Sequence, residues 1–248
     1  MIALSEIDQA RFGIVIARAT VKTVAEREEA LAFCARHGVE LLIARMPALT
    51  PFLGQPLLAE GALLTDTLCV FSRASLPEDA LFEAPADIVF RRASPKDAEA
   101  VALLAARAFH DYPNHYWADP NLDRDACNAV LPDWGSRLCA SDGKTVSWIA
   151  EGEGNVVGFL GSDCGAPDVT HLGLGMVEED WRGRGILLDL LRCQLSFDAS
   201  RGAVRTLYPT QLWNMASLRC AVRLGYIPME GYHTVHHWFP ARSRPSAG

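Results

Sequence analysis

The sequence predicts an α/β (α+β) protein with a mixed, mostly antiparallel central sheet flanked by helices. Three observations carry this prediction. Short apolar runs rich in Val, Ile and Leu alternate with stretches of helical period. "VSWIAEG" and "GNVVGFLGS" meet at the turn residues 152–154 and read as a hairpin. From "VTHLGLGMV" onward strand and helix alternate, which adds strand–helix–strand units to an antiparallel meander.

Each element follows in order. "EREEALAFCARHG" reads as a helix closed by Gly38, and "VELLIARM" as a short buried strand. "ALLTDTLCVFSR" supplies a further strand or two. The stretch 73–87, interrupted by Pro77, Pro85 and a group of acids, marks a boundary. It divides a smaller α/β domain (1–87) from a larger one (88–248).

In the larger domain "IVFRRA" is a strand. "SPKDAEAVALLAARAF" is a helix with Ser94 as N-cap, Pro95 in the first turn, and Asp97 and Glu99 near its positive end. A polar and aromatic loop, "HDYPNHYWADPNL", leads to a second helix that Pro132 is expected to bend or break. After the hairpin and "VTHLGLGMV", the helix "GILLDLLRCQLSFDAS" has its apolar residues at helical spacing. "AVRTLYPT" is a strand, "NMASLRCAVRLG" a helix closed by Gly225, and "YIPMEGYHTVHHWFP" a last pair of strands.

Composition narrows the function classes. The chain has 248 residues, half of them hydrophobic, which is ordinary usage for a soluble protein with a proper core. A net charge of −7 gives no global attraction to nucleic acid or an anionic membrane, so an anionic ligand needs a local site. Seven scattered cysteines lack zinc-type spacing and read as small buried hydrophobes in a reducing compartment. No metal site is expected. The first residues carry acids at positions 6 and 8 and do not read as a secretion signal, and no run approaches a membrane span. A cytoplasmic location is expected.

The stretch "VEEDWRGRGILLDLL" joins a strand end at Val177 to a helix starting near Gly185. The first amides of a helix have no internal partner and face outward at its positive end. Gly183 and Gly185 let an anion approach the backbone, and Arg182 and Arg184 add positive charge. Taken alone, the stretch reads first as a basic turn capping a core helix. In "HLGLGMV", alternation places Leu172, Leu174 and Met176 on a core face, and His171, Gly173, Gly175 and Val177 on a face that is nearly bare.

The run V-x-x-x-W-R-G-R-G-I-L-L resembles the acyl-CoA-binding segment of the GNAT N-acetyltransferase family, R/Q-x-x-G-x-G/A. Arg182, Gly185 and Leu187 stand at its three positions, with Leu in place of a small residue. "NMASLRCAVRLGY" is similar to the family's second signature, with Asn214, Ser217, Arg223, Gly225 and Tyr226 in register. The resemblance spans roughly residues 88 to 240 and implies a GNAT fold with a degenerate amino-terminal half. It implies acetyl transfer from acetyl-CoA, as cosubstrate, to a primary amine.

In this reading the CoA pyrophosphate lies on the amides of Arg182, Gly183, Arg184, Gly185, Ile186 and Leu187. The pantetheine arm runs beside Met176 and Val177, with Asn214 and Ser217 close to it. His171 stands where the family often has a general base. An amine of pKa roughly 10 is free base in only about one molecule in a thousand at pH 7, so a neighbouring His is a sensible proton acceptor. The family's usual tyrosine acid is replaced by Ala221, leaving Tyr208, Tyr226 or unassisted thiolate departure.

The layout also resembles the TDP-fucosamine acetyltransferase type, which implies a nucleotide-linked amino sugar as acceptor. His115, Tyr116 and Trp117 in the aromatic loop then shape the acceptor site. Another small amine as acceptor, or an acyl-CoA-binding domain without catalysis, stays open, as does a homodimer. No nucleic-acid or membrane partner is expected.

Overall fold

The computed structural model describes residues 1–83, 87–140 and 142–240. The first elements are β1 (Ile2–Leu4), α1 (Glu6–Phe12), β2 (Ile16–Thr20), α2 (Val24–His37), β3 (Leu41–Pro47) and α3 (Gln55–Ala59). There follow β4 (Leu63–Ala74), β5 (Val89–Arg92), α4 (Ala98–Ala108), α5 (Arg124–Arg137), β6 (Thr145–Gly152) and β7 (Asn155–Asp163). The last are β8 (Val169–Val177), α6 (Ile186–Ser200), β9 (Arg205–Gln211), α7 (Met215–Arg223) and β10 (Ile227–Trp238).

Contacts group the chain into two units that depart from the split expected at residue 87. Among the described residues, Met1–Cys69, Pro113–Cys127 and 230–240 form the first, and Val70–Tyr112 with Asn128–Met229 the second. The reason lies in β10, which pairs antiparallel with β3 from Tyr232↔Pro47 to Trp238↔Leu41. Of the expected boundary stretch, residues 84–86 lie outside the described residues.

In the first unit β1, β2, β3, β10 and β4 follow one another in that order, with β2 and β3 parallel. Ala17, Leu42, Ala44 and Val235 point to one face and pack with Cys34, Leu53 and Leu57. The α2 helix carries a capping box in which Thr23 accepts from the Glu26 amide, and it ends on Gly38 at φ 63°.

In the second unit the order is β9, β8, β7, β6, β5, antiparallel except for the β8–β9 pair. Val101, Leu104 and Ala105 of α4 bury against Ile149, Phe159 and Met176. On α6 the carboxylate of Asp198 is fully buried. It accepts from Thr170 (2.5 Å), Thr206 (2.8 Å), Gln194 (3.1 Å) and Arg201 (3.1 Å), and so ties the helix to β8 and β9. A buried carboxylate is tolerated because its oxygens are all engaged.

Two expectations change. The "last pair of strands" is one strand, β10, and a Cβ on Gly231 within it would lie 3.3 Å from the Ala48 Cβ. Pro132 neither breaks nor ends α5, which runs through it to Arg137. Proline removes one amide donor, and here the helix continues for five residues beyond it.

Candidate active site

The candidate site is built on β8 and the segment after it, all in the second unit. Leu172, Leu174 and Met176 are buried, whereas His171 is exposed and Gly173, Gly175 and Val177 are partly so, the predicted alternation. The parallel pairing of β8 with β9 covers Val169↔Arg205, Thr170↔Thr206 and His171↔Leu207. Beyond His171, β8 continues to Val177 without a β9 partner. Unpaired strand groups call for another hydrogen-bonding partner.

At the end of β8 a short 3-10 turn, Glu179–Trp181, leads to α6. Its Trp181 ring lies over Gly152, where a Cβ would come within 2.4 Å, so only glycine fits beneath the indole. Gly183 (φ 79°) and Gly185 (φ 84°) take the left-handed conformation that glycine supplies without strain. The first bond of α6 runs from the Asp189 amide to the Gly185 carbonyl (3.0 Å), which leaves the Ile186, Leu187 and Leu188 amides ahead of it.

Arg182 and Arg184 are exposed. Arg182 Nε donates to the Val177 carbonyl (3.2 Å), and the Arg184 guanidinium lies 4.5 Å from the Trp181 ring centre. The segment therefore presents open amides, two cations and no Cβ at two positions, the chemistry that holds a pyrophosphate.

The strand face read as bare is only partly so. A Cβ on Gly175 would meet Leu187 Cδ1 at 3.2 Å, and one on Gly173 would meet the Trp134 ring at 3.3 Å. These glycines make room for side chains of α5 and α6. Leu187 thus packs over Gly175 from the position where the motif usually carries a small residue.

His171 opens onto a cleft of about 370 Å³ with Trp134, Leu138, Asp142, Lys144 and Asp163. Asp163 stands directly across the β7–β8 ladder from His171. The sequence reading missed Trp134, Asp142 and Asp163, which lie on a helix, a loop and a strand end without any motif. The cleft thus joins two carboxylates, the Lys144 ammonium and an imidazole.

Asn214 caps α7, accepting from the Ser217 amide (3.1 Å) and donating through Nδ2 to the Tyr112 hydroxyl (3.1 Å), which donates to Gln211 Oε1 (2.9 Å). The Ser217 hydroxyl bonds the Tyr208 hydroxyl at 2.7 Å. Both residues expected beside the pantetheine are thus engaged in capping and packing. Ala221 is fully buried.

The three aromatic-loop residues belong to the first unit. Tyr116 is buried and its hydroxyl donates to Asp8 (2.7 Å). His115 Nδ1 is 2.9 Å from His236 Nε2, and Trp117 lies under the Arg124 guanidinium at 4.6 Å. No group of three His, Cys, Asp or Glu side chains suited to a metal occurs among the described residues.

The chain is similar to the spore coat polysaccharide biosynthesis protein SpsD of Bacillus subtilis, 28% identical over 144 residues. That match covers 58% of this chain and 48% of SpsD, so the chain spans about half the length of this curated relative. A GCN5-related N-acetyltransferase from Sphaerobacter thermophilus aligns over 98% of this chain and 78% of its own, with a TM-score of 0.60 and 14% identity. One from Kribbella flavida aligns over 90% and 81%, with a TM-score of 0.58 and 17% identity. The model of the Acetyltransferase (GNAT) family matches residues 101–226, just over half of the chain, and the chain belongs to that family.

Proposed function

We propose that the second unit transfers the acetyl group of acetyl-CoA to the primary amine of a nucleotide-linked amino sugar. The observation that carries this is the parting of β8 from β9 after His171, directly ahead of the glycine-rich start of α6. A pantetheine arm, with its two amides, supplies the hydrogen-bonding partner that β8 lacks there. Arg182, Arg184 and the amides up to Leu187 hold the pyrophosphate. The sugar acceptor is supported by the similarity to SpsD, whose name places it in polysaccharide biosynthesis.

Asp142 and Asp163 draw the acceptor ammonium into the cleft, and His171 takes its proton, directly or through water. The free amine attacks the thioester carbonyl, an N–C bond forms, and the C–S bond breaks to release CoA thiolate. Burial pushes the Tyr208 pKa up to about 12. A thiol near 8.5 is far more acidic, so the thiolate leaves without a proton from Tyr208.

Release of free thiol from acetyl-CoA, followed over a panel of amines, tests this. Turnover is expected to be greatest on a nucleotide-linked 4-amino-4,6-dideoxyhexose. Turnover confined to free amino acids or antibiotics would replace the acceptor. Tight CoA binding with no turnover on any amine would reduce the unit to a binding module.

A further inference from the structure

The cleft at His171 carries more charge than the seating of an amine requires. Three strands meet there: Thr145 of β6 stands opposite Asp163 of β7, and Asp163 opposite His171 of β8. Residues directly opposite on neighbouring strands share a face, with Cβ atoms roughly 5 Å apart. Thr145, Asp163 and His171 thus form one row, about 10 Å from end to end at the usual strand spacing. Lys144, one residue before β6, lines the same cleft, and all of these residues belong to the second unit.

The two carboxylates are not equivalent. Asp142 Oδ1 accepts from the Thr145 amide (2.7 Å) and the Lys144 amide (2.9 Å), and Oδ2 accepts from the Thr145 hydroxyl (3.1 Å). Both of its oxygens serve the turn into β6. Asp163 accepts through Oδ1 from the Gly165 amide (2.8 Å), and its Oδ2 takes no hydrogen bond among the described residues. The carboxylate open to a ligand ammonium is therefore Asp163, beside His171.

The Lys144 ammonium is open as well, with no hydrogen bond or ion pair among the described residues. A Cβ on Gly165 would stand 3.2 Å from Asp163 Oδ1 and 3.4 Å from both Cβ and Cγ of Lys144, so the carboxylate and the lysine stem flank one narrow gap. The cleft thus offers one open anion and one open cation. A ligand with only positive charge is repelled by Lys144, whereas one that also carries an acid group satisfies both.

We propose that Lys144 is a specificity-determining residue of the cleft, selecting an acceptor whose acid group lies across the molecule from its amine. This rests on the acetyl-transfer reading, in which the amine meets Asp163 and His171. In an α-amino acid the ammonium lies roughly 2.5 Å from the carboxyl carbon, a poor match to the width of the row. A phosphate on the far side of a sugar ring from the amine matches it, with Lys144 on the phosphate as a point charge.

Calorimetry on the full chain without acetyl-CoA tests this apart from the chemistry. The probes are the thymidine-diphosphate-linked 4-amino-4,6-dideoxyhexose and the methyl glycoside of the same sugar, which keeps the amine and lacks the phosphates. The linked sugar is expected to bind about tenfold or more tighter, with a preference that shrinks as salt is raised. Lys144→Gln should bring the two sugars close to equal and Lys144→Arg should keep the preference. Both variants should melt like the unaltered chain, since Lys144 is exposed. Asp163→Asn should weaken both sugars by a similar factor. Equal binding of the two sugars by the unaltered chain, or a preference that survives Lys144→Gln, overturns the proposal. Binding of neither sugar overturns it together with the sugar acceptor. Thiol release is scored separately. A Lys144-dependent preference without turnover keeps the role of Lys144 and removes acetyl transfer, whereas equal kcat/KM on both sugars keeps acetyl transfer and removes that role.

Discussion

His171 stands exposed where β8 loses its β9 partner, so replacing it removes the proposed proton acceptor without opening a cavity. His171→Ala should slow acetyl transfer by about 10²–10⁴ at neutral pH. The loss should shrink at high pH, where the amine is already free base. A pH–rate profile of thiol release checks this, and an unchanged profile would remove His171 from proton transfer. Gly185 makes a different demand. At φ 84° a β-branched residue is strained by about 1–2 kcal/mol or more, and its Cβ would stand at the mouth of the cradle. Gly185→Val should weaken CoA binding about tenfold or more and lower the melting temperature by only a few degrees. Normal CoA affinity in that variant would rule out the cradle.

At the scale of elements, the start of α4 depends on one carboxylate. Asp97 accepts from the Ser94 amide (2.8 Å) and hydroxyl (2.9 Å), and binds both terminal nitrogens of Arg91 (3.0 and 2.7 Å). The Arg91 hydrogen bonds hold its pKa down to about 2, against a burial that pushes it up. An unfolded aspartate titrates near 3.9, so below about pH 4 the unfolded chain binds more protons than the folded one. This contribution is complete above about pH 4 and is lost as the pH falls toward 2. The melting temperature should therefore drop less steeply over that range in Asp97→Asn than in the unaltered chain, as thermal scans would show. Equal slopes would mean that Asp97 plays no part in the acid response.

Local signals made the caps readable in the sequence: Gly38 closes α2, Asn214 opens α7, and the left-handed glycines of the cradle announce themselves because few other residues fit. Elements fixed by distant contacts stayed hidden. Helix α1 buries Asp8, whose partners Arg18 and Tyr116 lie 10 and 108 residues away, so no apolar stripe reveals it. Leu187 over Gly175, and His115 on His236, are likewise matters of long-range packing.

At the scale of the whole molecule, the order of residues along the chain hides its division. A sequence reading divides it where prolines and acids interrupt the pattern, yet the first unit collects three separated segments. The strand that ends the described chain is the partner of β3, over a ladder running from Tyr232↔Pro47 to Trp238↔Leu41. A fragment beginning at residue 88 would contain both family motifs and the whole of α6. It would also carry β10 with Val235 bared, and the unpaired edge of an apolar strand invites association with other chains. Such a fragment should accumulate as aggregate, or lack a cooperative melting transition, despite retaining every residue of the proposed CoA cradle. The full chain should melt cooperatively under the same conditions. Soluble yield and far-UV circular dichroism of the two proteins decide the matter. A well-folded fragment with CoA affinity equal to that of the full chain would show that β10 does not need β3, and that the catalytic half is autonomous after all.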